Sequence, residues 1–479
     1  MQLEGLVAES GLAQQGLLSS TSGDMNVEVT AIAMDSHAVT PGALFACVTG
    51  EHSDGHEFAP EALAAGAASL LCEHPLEIDA PQAVVTSVRR ALGPVADTFF
   101  GHPSRALTVV GVTGTSGKTT TCAFLRAVLE AGGLRATSIG TLTQQRTTPE
   151  APALQALLAG WRDSGGQAVA MEVSSHALDQ HRVDATRFAA GVFTNLSPEH
   201  LDYHHTMEAY FDAKALLFEA GRASLAVVNG ADPWGQKLIA RLEGGAVPVE
   251  VFSVEEVEDL ELLPDGSRFR WRGTELSVHL PGRFNVANAL AAATCAGALG
   301  IDPAAVAEGL SEVQGVRGRF ERVDAGQPFT VLVDYAHKPD ALNQALGAAR
   351  ELTRGRLLVV FGAGGDRDRD KRPLMGAIAA ALADLAIVTS DNPRSEDPGR
   401  IIEEILAGAE GRPNVVVEPD RGAAIAAALA NAQPGDVVVI AGKGHETGQD
   451  IGGHVVPFDD AEVARDALVR ILASRRSAP

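Results

Sequence analysis

The chain has 479 residues, 46% of them hydrophobic and 21% charged, which is enough to build several cores and no more charged than an ordinary globular protein. Its formal net charge of −23 repels nucleic acid and anionic membrane, so neither is expected as a partner, and an anionic ligand has to be caught by local cations and backbone amides. Cys47, Cys72, Cys122 and Cys295 lack paired spacing, which argues against a disulfide framework or a zinc knuckle and for a reducing compartment. The opening MQLEGLVAES has neither the basic start nor the apolar core of a secretory leader, and no apolar run reaches membrane-span length. A cytoplasmic chain without stable membrane association is therefore expected.

Residues 1–105 read as a separate mixed α/β unit, closed by the linker GHPSRA at 101–106. Short apolar runs then alternate with helical patterns: LTVVGV (107–112), QAVAMEV (167–173), FAAGVFTNL (188–196) and SLAVVNG (224–230) read as buried strands. The alternation resumes with FTVLVDYA (329–336), RLLVVFGAGG (356–365), DLAIVTSDN (384–392), NVVVEPD (414–420) and DVVVIAGKG (436–444). Continuous apolar strands between Ala/Leu-rich helices predict mostly parallel sheets with helices on both faces. The second boundary is placed in EVQGVRGRFERV, which gives an α/β chain of three domains at 1–105, 106–319 and 320–479.

VVGVTGTSGKTTTCAFL (109–125) runs from strand through a glycine-rich turn into a helix. Such a turn aims backbone N–H groups at phosphate, and the helix N-terminus adds a favourable dipole. Gly114, Thr115, Ser116, Gly117, Lys118, Thr119 and Thr120 are the candidate nucleotide loop. Lys118 is assigned to the terminal phosphates, and Thr119 or Thr120 to Mg²⁺. The usual G-x-x-x-x-G-K-[ST] spacing requires glycine where Val112 stands, so the loop is a variant. The bland alternative is a Gly/Thr-rich turn with a solvated lysine.

Glu172, at the end of the next strand pattern, occupies the position where open α/β sheets present ligand groups, and is a Mg²⁺ ligand candidate. TNLSPEHLDYHH gathers His200, Asp202, His204 and His205. Clustered His and Asp suggest a metal site, but the H-x-H-x-D-H order of a dinuclear zinc hydrolase is absent, and His204 and His205 read as packing at a helix start. Lys214, among Phe211, Leu216, Leu217 and Phe218, reads on its own as a snorkelling side chain.

GTSGKTTT, EVSSHAL, TNLSPEHLDYH, YFDAKALLF, GRFNVANALAA, GRFE, DYAHKPDAL and GKGHE follow one another in the order found in Mur ligases. MDSHAVTPGALFACVTGEHSDGHEF extends the match through the N-terminal unit. The chain resembles the Mur ligases, most nearly the members that add a diamino acid to a UDP-muramyl dipeptide. The resemblance implies an N-terminal sugar-nucleotide domain, a central P-loop-type ATPase domain and a C-terminal Rossmann-like domain that binds the amino acid. It also implies an ADP-forming ligase acting as a monomer in peptidoglycan precursor synthesis. ATP phosphorylates the D-glutamyl carboxylate of UDP-N-acetylmuramoyl-L-alanyl-D-glutamate, and an amine then attacks the acyl phosphate.

By the same resemblance, Lys118 holds the β- and γ-phosphates, Glu172 and His200 are Mg²⁺ ligands alongside Thr119, and Lys214 is carbamylated. A carbamate is an anion on a long stem that binds Mg²⁺ where an ammonium repels it, and apolar neighbours favour the free amine that captures CO₂. Asn285 and Asn288 match adenine-side asparagines, Arg319 a phosphate-reaching arginine, and Asp334 and His337 further nucleotide contacts. Ser36 matches a uridine-side serine, and Thr147, Thr148, Ser174, Gln180 and Arg182 match dipeptide contacts. Two departures stand out: His37 replaces a common arginine, and Lys338 a common threonine.

GAGGDRDRDKRP, SDNPRSEDP and AGKGHETGQD all follow strand ends, so they can converge on one crevice. Gly362-Ala363-Gly364-Gly365 is not a dinucleotide fingerprint, which excludes a nicotinamide cofactor. Arg394 can grip a carboxylate bidentately and Glu446 can receive an ammonium, a pair suited to the zwitterionic far end of meso-diaminopimelate. Arg367, Asp391, Asn392, Pro393, Arg394, Gly442 and Glu446 match the diaminopimelate site of the family. The alternatives are L-lysine or L-ornithine as the added residue, a sister ligase, or, in a different class, a P-loop phosphotransferase or NTPase.

Overall fold

β-Branched side chains and the single Gly111 make up the strand Thr108–Thr113, where all but the first residue are buried. In the computed structural model, which describes residues 1–50 and 53–477, this strand lies inside a six-stranded sheet. Glu51 and His52 of the N-terminal motif lie outside the described residues. The chain divides into two compact units, residues 1–118 with 132–251, and residues 119–131 with 252–479.

The first unit carries two sheets. The N-terminal one orders its strands as Leu18–Ser22, Gln82–Val85, Ser69–Cys72, Ala43–Ala46 and Ala31–Ala33. It is parallel except for the antiparallel edge pair Leu18–Ser22 with Gln82–Val85. The larger sheet runs Val249–Phe252, Ala226–Asn229, Ala190–Phe193, Thr108–Thr113, Ala168–Glu172, Ala136–Ile139. Its interior pairings are parallel. The chain leaves Thr108–Thr113 toward one edge, returns through Ala168–Glu172, then crosses to Ala190–Phe193, so strand order reverses beside Thr108–Thr113. Ligands of open α/β sheets bind at such a reversal, outside the carboxyl ends of the strands. Val109, Val169, Met171, Phe188 and Phe193 form the core with Leu154 and Leu158 of the helix Ala151–Asp163 and Leu238 of Pro233–Leu242. The latter helix starts with proline after Asp232, whose carboxylate accepts from Trp234 N and Gly235 N, both at 3.0 Å.

In the second unit, the C-terminal sheet orders its strands as Glu321–Arg322, Thr330–Asp334, Val437–Ala441, Leu357–Phe361, Leu385–Val388 and Val415–Val417. All pairs are parallel except the first. Alternate residues feed two cores. Leu332, Leu357, Val359 and Val439 meet Leu346, Met375 and Ile402 on one face, while Val331, Leu358, Val360 and Val438 meet Ile425, Leu429 and Leu468 on the other. This is the mostly parallel sheet covered on both faces expected from the continuous apolar strands. An antiparallel three-stranded sheet at Glu258–Leu263, Gly266–Trp271 and Thr274–Val278, and a hairpin of Gly448–Ile451 with His454–Pro457, were not read from the sequence.

The four cysteines are buried thiols; burial pushes Cys47 and Cys295 up to about 12 and Cys72 up to about 11. No described helix is long and apolar enough to cross a membrane.

Candidate functional site

The turn after Thr108–Thr113 depends on glycine. Gly114 and Gly117 adopt φ of +147° and +86°, and a Cβ on Gly114 would stand 2.0 Å from Thr194 Oγ1. The neighbouring strand end pins the loop. Asn195 O accepts from Thr115 N at 2.9 Å, Asn195 Oδ1 accepts from Ser116 N at 3.0 Å, and Thr194 Oγ1 donates to Ser116 O at 2.7 Å. Lys118 Nζ donates to the carbonyls of Gly114 (2.9 Å) and Thr115 (2.8 Å). Thr119 and Thr120 are buried in the first turn of the helix Lys118–Ala131.

Lys214 lies on the helix Met207–Ala215, only 1% exposed. It does not snorkel to water: its Nζ donates to Gly114 O at 2.9 Å and sits 4.5 Å from the Tyr210 ring centroid. Burial, and next the charge of Lys118, hold this amine well below the ordinary lysine value, against the opposing pull of Glu199.

Glu172 is 2% exposed at its strand end, where its carboxylate accepts from Thr141 N (2.8 Å) and Thr141 Oγ1 (3.3 Å). Thr147 Oγ1 lies 3.2 Å from Thr141 Oγ1, and Thr148 Oγ1 donates to Glu172 O at 2.9 Å and accepts from Ser174 N at 3.0 Å. Arg182 donates to Gln180 Oε1 (2.6 Å) and Thr148 O (3.2 Å), with Glu150 Oε1 3.1 Å from its Nε. Thr147, Thr148, Ser174, Gln180 and Arg182 therefore form one connected patch beside Glu172.

His200 caps the helix Leu201–His204 with φ +55°. Its ring meets that of His176 edge-on at 4.6 Å, and Glu199 Oε1 lies 3.6 Å from its Nε2. His204 is buried, with Nε2 2.9 Å from Ser175 Oγ and its ring 5.4 Å from that of His176, whereas His205 is exposed. Among the described residues no three His, Cys, Asp or Glu side chains gather at metal-ligating spacing. Ser36 is buried at the start of a short 3₁₀ turn; His37 is exposed, its ring 3.1 Å from Asp35 and 3.8 Å from Glu61.

The second unit holds the remaining candidates. Asn285 and Asn288 are buried and bonded to each other at 3.2 Å; Asn285 also donates to Pro281 O, and Thr121 Oγ1 to Asn288 Oδ1. Asp334 accepts from Phe320 N (2.8 Å) and Ala336 N (2.9 Å). Burial raises its carboxyl despite Arg319, whose guanidinium stacks 4.9 Å from the Tyr335 ring. Burial pulls His337 down to about 4, and likewise His445, where Arg319 and Arg317 add to the effect.

The loops that follow three strand ends of the C-terminal sheet are joined by hydrogen bonds. Asn392 Nδ2 donates to Glu446 Oε2 at 2.8 Å, and Arg394 Nη1 to Gly365 O at 2.7 Å. Gly442 has φ +119° and room for no Cβ, which would stand 2.5 Å from Asp391 Oδ2. Gly365 N donates to Asn392 O at 2.9 Å, a Cβ on Gly365 would collide with Pro393 O, and Arg367 is exposed. Sequence reasoning missed Thr194, Asn195, His176, Tyr210 and Lys443. Each sits inside or beside a quoted motif, but its contacts depend on strand adjacency that a linear reading does not give.

Three family models match the chain in order: the Mur ligase family catalytic domain over residues 28–98, the Mur ligase middle domain over 112–296, and the Mur ligase glutamate ligase domain over 318–444. The chain is 47% identical over 489 residues to a UDP-N-acetylmuramoyl-L-alanyl-D-glutamate–2,6-diaminopimelate ligase of Streptomyces avermitilis, covering 95% of each chain. It is 45% identical to the ligase of that name from Geobacillus thermodenitrificans, over 92% of this chain and 95% of that one. A solved structure under the same name is 33% identical, covers 92% of this chain and 95% of its own, and matches with a TM-score of 0.66. With matching models in chain order and this identity over nearly the whole length, the chain belongs to the Mur ligase family.

Proposed function

We propose that the chain is an ADP-forming ligase that joins meso-diaminopimelate to the D-glutamate of UDP-N-acetylmuramoyl-L-alanyl-D-glutamate, acting as a cytoplasmic monomer in peptidoglycan precursor synthesis. The observation that carries this reading is the 47% identity, across 95% of each chain, to a ligase of that name. The domains assigned to it are 1–105 for the UDP-sugar, 106–319 for ATP and 320–479 for the amino acid.

Two polyanions must meet in this reaction, so catalysis is largely positioning and charge neutralisation. The amides of Gly114–Gly117 and the Lys118 ammonium receive the ATP phosphates, with Thr120 beside them. Lys118 exchanges its carbonyl partners for phosphate oxygens. Asn285 and Asn288 hold the adenine side, and Arg319, Asp334 and His337 the phosphates and ribose. Ser36 receives the uridine end, where the exposed His37 offers a weaker anion contact than a guanidinium. Thr147, Thr148, Ser174, Gln180 and Arg182 hold the dipeptide. Their ties to Glu172 align the γ-carboxylate for attack on the γ-phosphate, which gives an acyl phosphate and ADP.

Oxygen donors from Thr119 and Glu172 and the imidazole of His200 suit a divalent cation. The buried Lys214, held toward its neutral amine, suits CO₂ capture as a carbamate that completes the set. Mg²⁺ held there supplies charge neutralisation to the phosphates. In the amino-acid crevice, Arg394 grips the distal carboxylate and Glu446 with Asn392 receives the distal ammonium; Arg367, Asp391, Pro393 and Gly442 shape the walls. The amine of the bound amino acid attacks the acyl phosphate, and its attack expels inorganic phosphate.

The test is phosphate release from ATP with the UDP-muramyl dipeptide and, in separate reactions, meso-diaminopimelate, L-lysine, L-ornithine or D-Ala-D-Ala. Release with diaminopimelate alone is expected. Release with lysine or ornithine instead keeps the ligase and overturns the role of Arg394; release without dipeptide returns the P-loop phosphotransferase.

A further inference from the structure

Lys443 has no exposed side-chain surface, yet it lies between groups assigned to the amino-acid crevice. Its Nζ donates to Asn392 Oδ1 at 3.0 Å, Glu446 Oε2 at 3.1 Å and Gly448 O at 2.6 Å. An ammonium has three N–H bonds, so all are used and the side chain has one orientation. The consequence passes to Asn392. Its Oδ1 also accepts from Asp450 N at 3.0 Å, so its NH₂ is turned toward Glu446 Oε2, which it meets at 2.8 Å. Glu446 is the outer member, its side chain 32% exposed, and Oε2 is fixed by two donors, which leaves the other carboxylate oxygen to a ligand.

The contact at Gly448 O ties this triad to the hairpin, and the hairpin holds the backbone of Arg394: Arg394 N donates to Asp450 O at 3.0 Å, and Gly452 N to Arg394 O at 2.7 Å. Arg394 has φ +51°, a conformation that needs such support. One buried cation thus stands behind all three crevice groups.

We propose that Lys443 is a positioning and specificity residue for the incoming amino acid, a role that rests on the reading under which Asn392, Arg394 and Glu446 hold its distal end. It fixes the amide sense of Asn392 and the rotamer of Glu446. It also neutralises the Glu446 carboxylate, so the crevice exerts little net pull on a bare ammonium and favours an end that carries both ammonium and carboxylate. Without Lys443, the uncompensated carboxylate would draw a simple diamine side chain in preference.

The experiment is steady-state phosphate release by the full-length parent, Lys443→Met and Lys443→Arg, with ATP, dipeptide and amino acid varied in turn. In Lys443→Met the KM for meso-diaminopimelate is expected to rise about ten-fold or more, the scale of one lost charged hydrogen bond, with the KM for ATP and dipeptide within about two-fold. The preference for meso-diaminopimelate over L-lysine, as a ratio of kcat/KM, falls by about ten-fold, and Lys443→Arg lies between. A parallel rise of all three KM values, a loss in kcat alone, or an unchanged preference overturns the proposal. If Lys443→Met shows no cooperative melt, a cycle of Lys443→Arg with Glu446→Gln decides. The Lys443→Arg penalty on the amino-acid KM should shrink once Glu446 is Gln, and strict additivity overturns the coupling. A parent that turns over with another diamino acid removes the substrate reading, and the same KM split is then read on that substrate.

Discussion

The carbonyl oxygen of Gly114 accepts from two lysines, Lys118 of the phosphate loop and Lys214 of a distant helix, each at 2.9 Å. Two amines cannot both stay charged cheaply around one buried atom, and Lys214, the more buried, is the one pushed toward neutrality. The loop residue proposed to meet phosphate and the residue proposed to capture CO₂ are therefore coupled through one backbone atom.

Lys214→Ala is expected to lower phosphate release by about two orders of magnitude, the scale on which a misplaced electrostatic group acts. A small carboxylic acid such as acetate should restore part of it, since a carboxylate can occupy the space of the carbamate head. Full activity in the unrescued variant would remove the carbamate from the mechanism.

Gly114→Ala brings a methyl group into Thr194 Oγ1 at a φ unfavourable for side chains. The loop must move, and a displacement of about 1 Å at such a site costs about 10²-fold in turnover. The KM for meso-diaminopimelate should be unchanged. A variant with parental ATP kinetics would show that the loop does not set the reaction geometry.

Arg394→Lys retains the charge and loses the bidentate fork. The KM for meso-diaminopimelate is expected to rise about ten- to hundred-fold, and any slow turnover with L-lysine should be unaffected, because that substrate has no distal carboxylate. Equal losses on both substrates would place Arg394 in structure rather than recognition.

His337 and His445 are held down to about 4, whereas an unfolded imidazole titrates near 6.5. Between these values the unfolded chain binds more protons, so stability rises with pH across the window and is lost as pH falls from about 6.5 toward 4. The midpoint of thermal unfolding should fall between pH 7 and pH 5 more steeply in the parent than in a His337→Gln, His445→Gln double variant. Parallel curves would contradict the assignment.

Arg421 and Asp460 form an ion pair with neither side chain exposed, two bonds of 2.6 and 2.7 Å. Asp460→Asn leaves the guanidinium buried with its charge uncompensated and should cost about 3–5 kcal/mol in urea unfolding, more than replacing both residues by apolar ones of similar size. A single variant as stable as the parent would refute this.

Much of this architecture is legible in the sequence where burial is two-sided. VVV, LLVVF and LAIV leave no polar face, which forces covered parallel strands and puts GTSGKTT, Glu172, DNPR and GKGHE at strand ends. The antiparallel sheet at Glu258–Val278 was not read, because its strand alternates exposed Arg268 and Arg270 with buried Phe269 and Trp271, a one-sided pattern unlike the continuous apolar runs of the covered sheets. Lys214 was misjudged from its neighbours alone: apolar company is shared by snorkelling and buried lysines, and only the resemblance separated them. Lys443 was passed over because its acceptor Asn392 lies 51 residues away and is brought beside Glu446 and Gly448 of its own stretch only by strand order.

The four buried cysteines have a practical consequence. With Cys47, Cys72 and Cys295 held at about 11 to 12 and Cys122 buried at 3% exposure, maleimide reagents should react slowly with the native thiols of the folded protein. A single cysteine introduced on an exposed loop then becomes the only fast-labelling position. Fluorophores or spin labels can thus be attached at chosen points in either unit without first removing the native thiols.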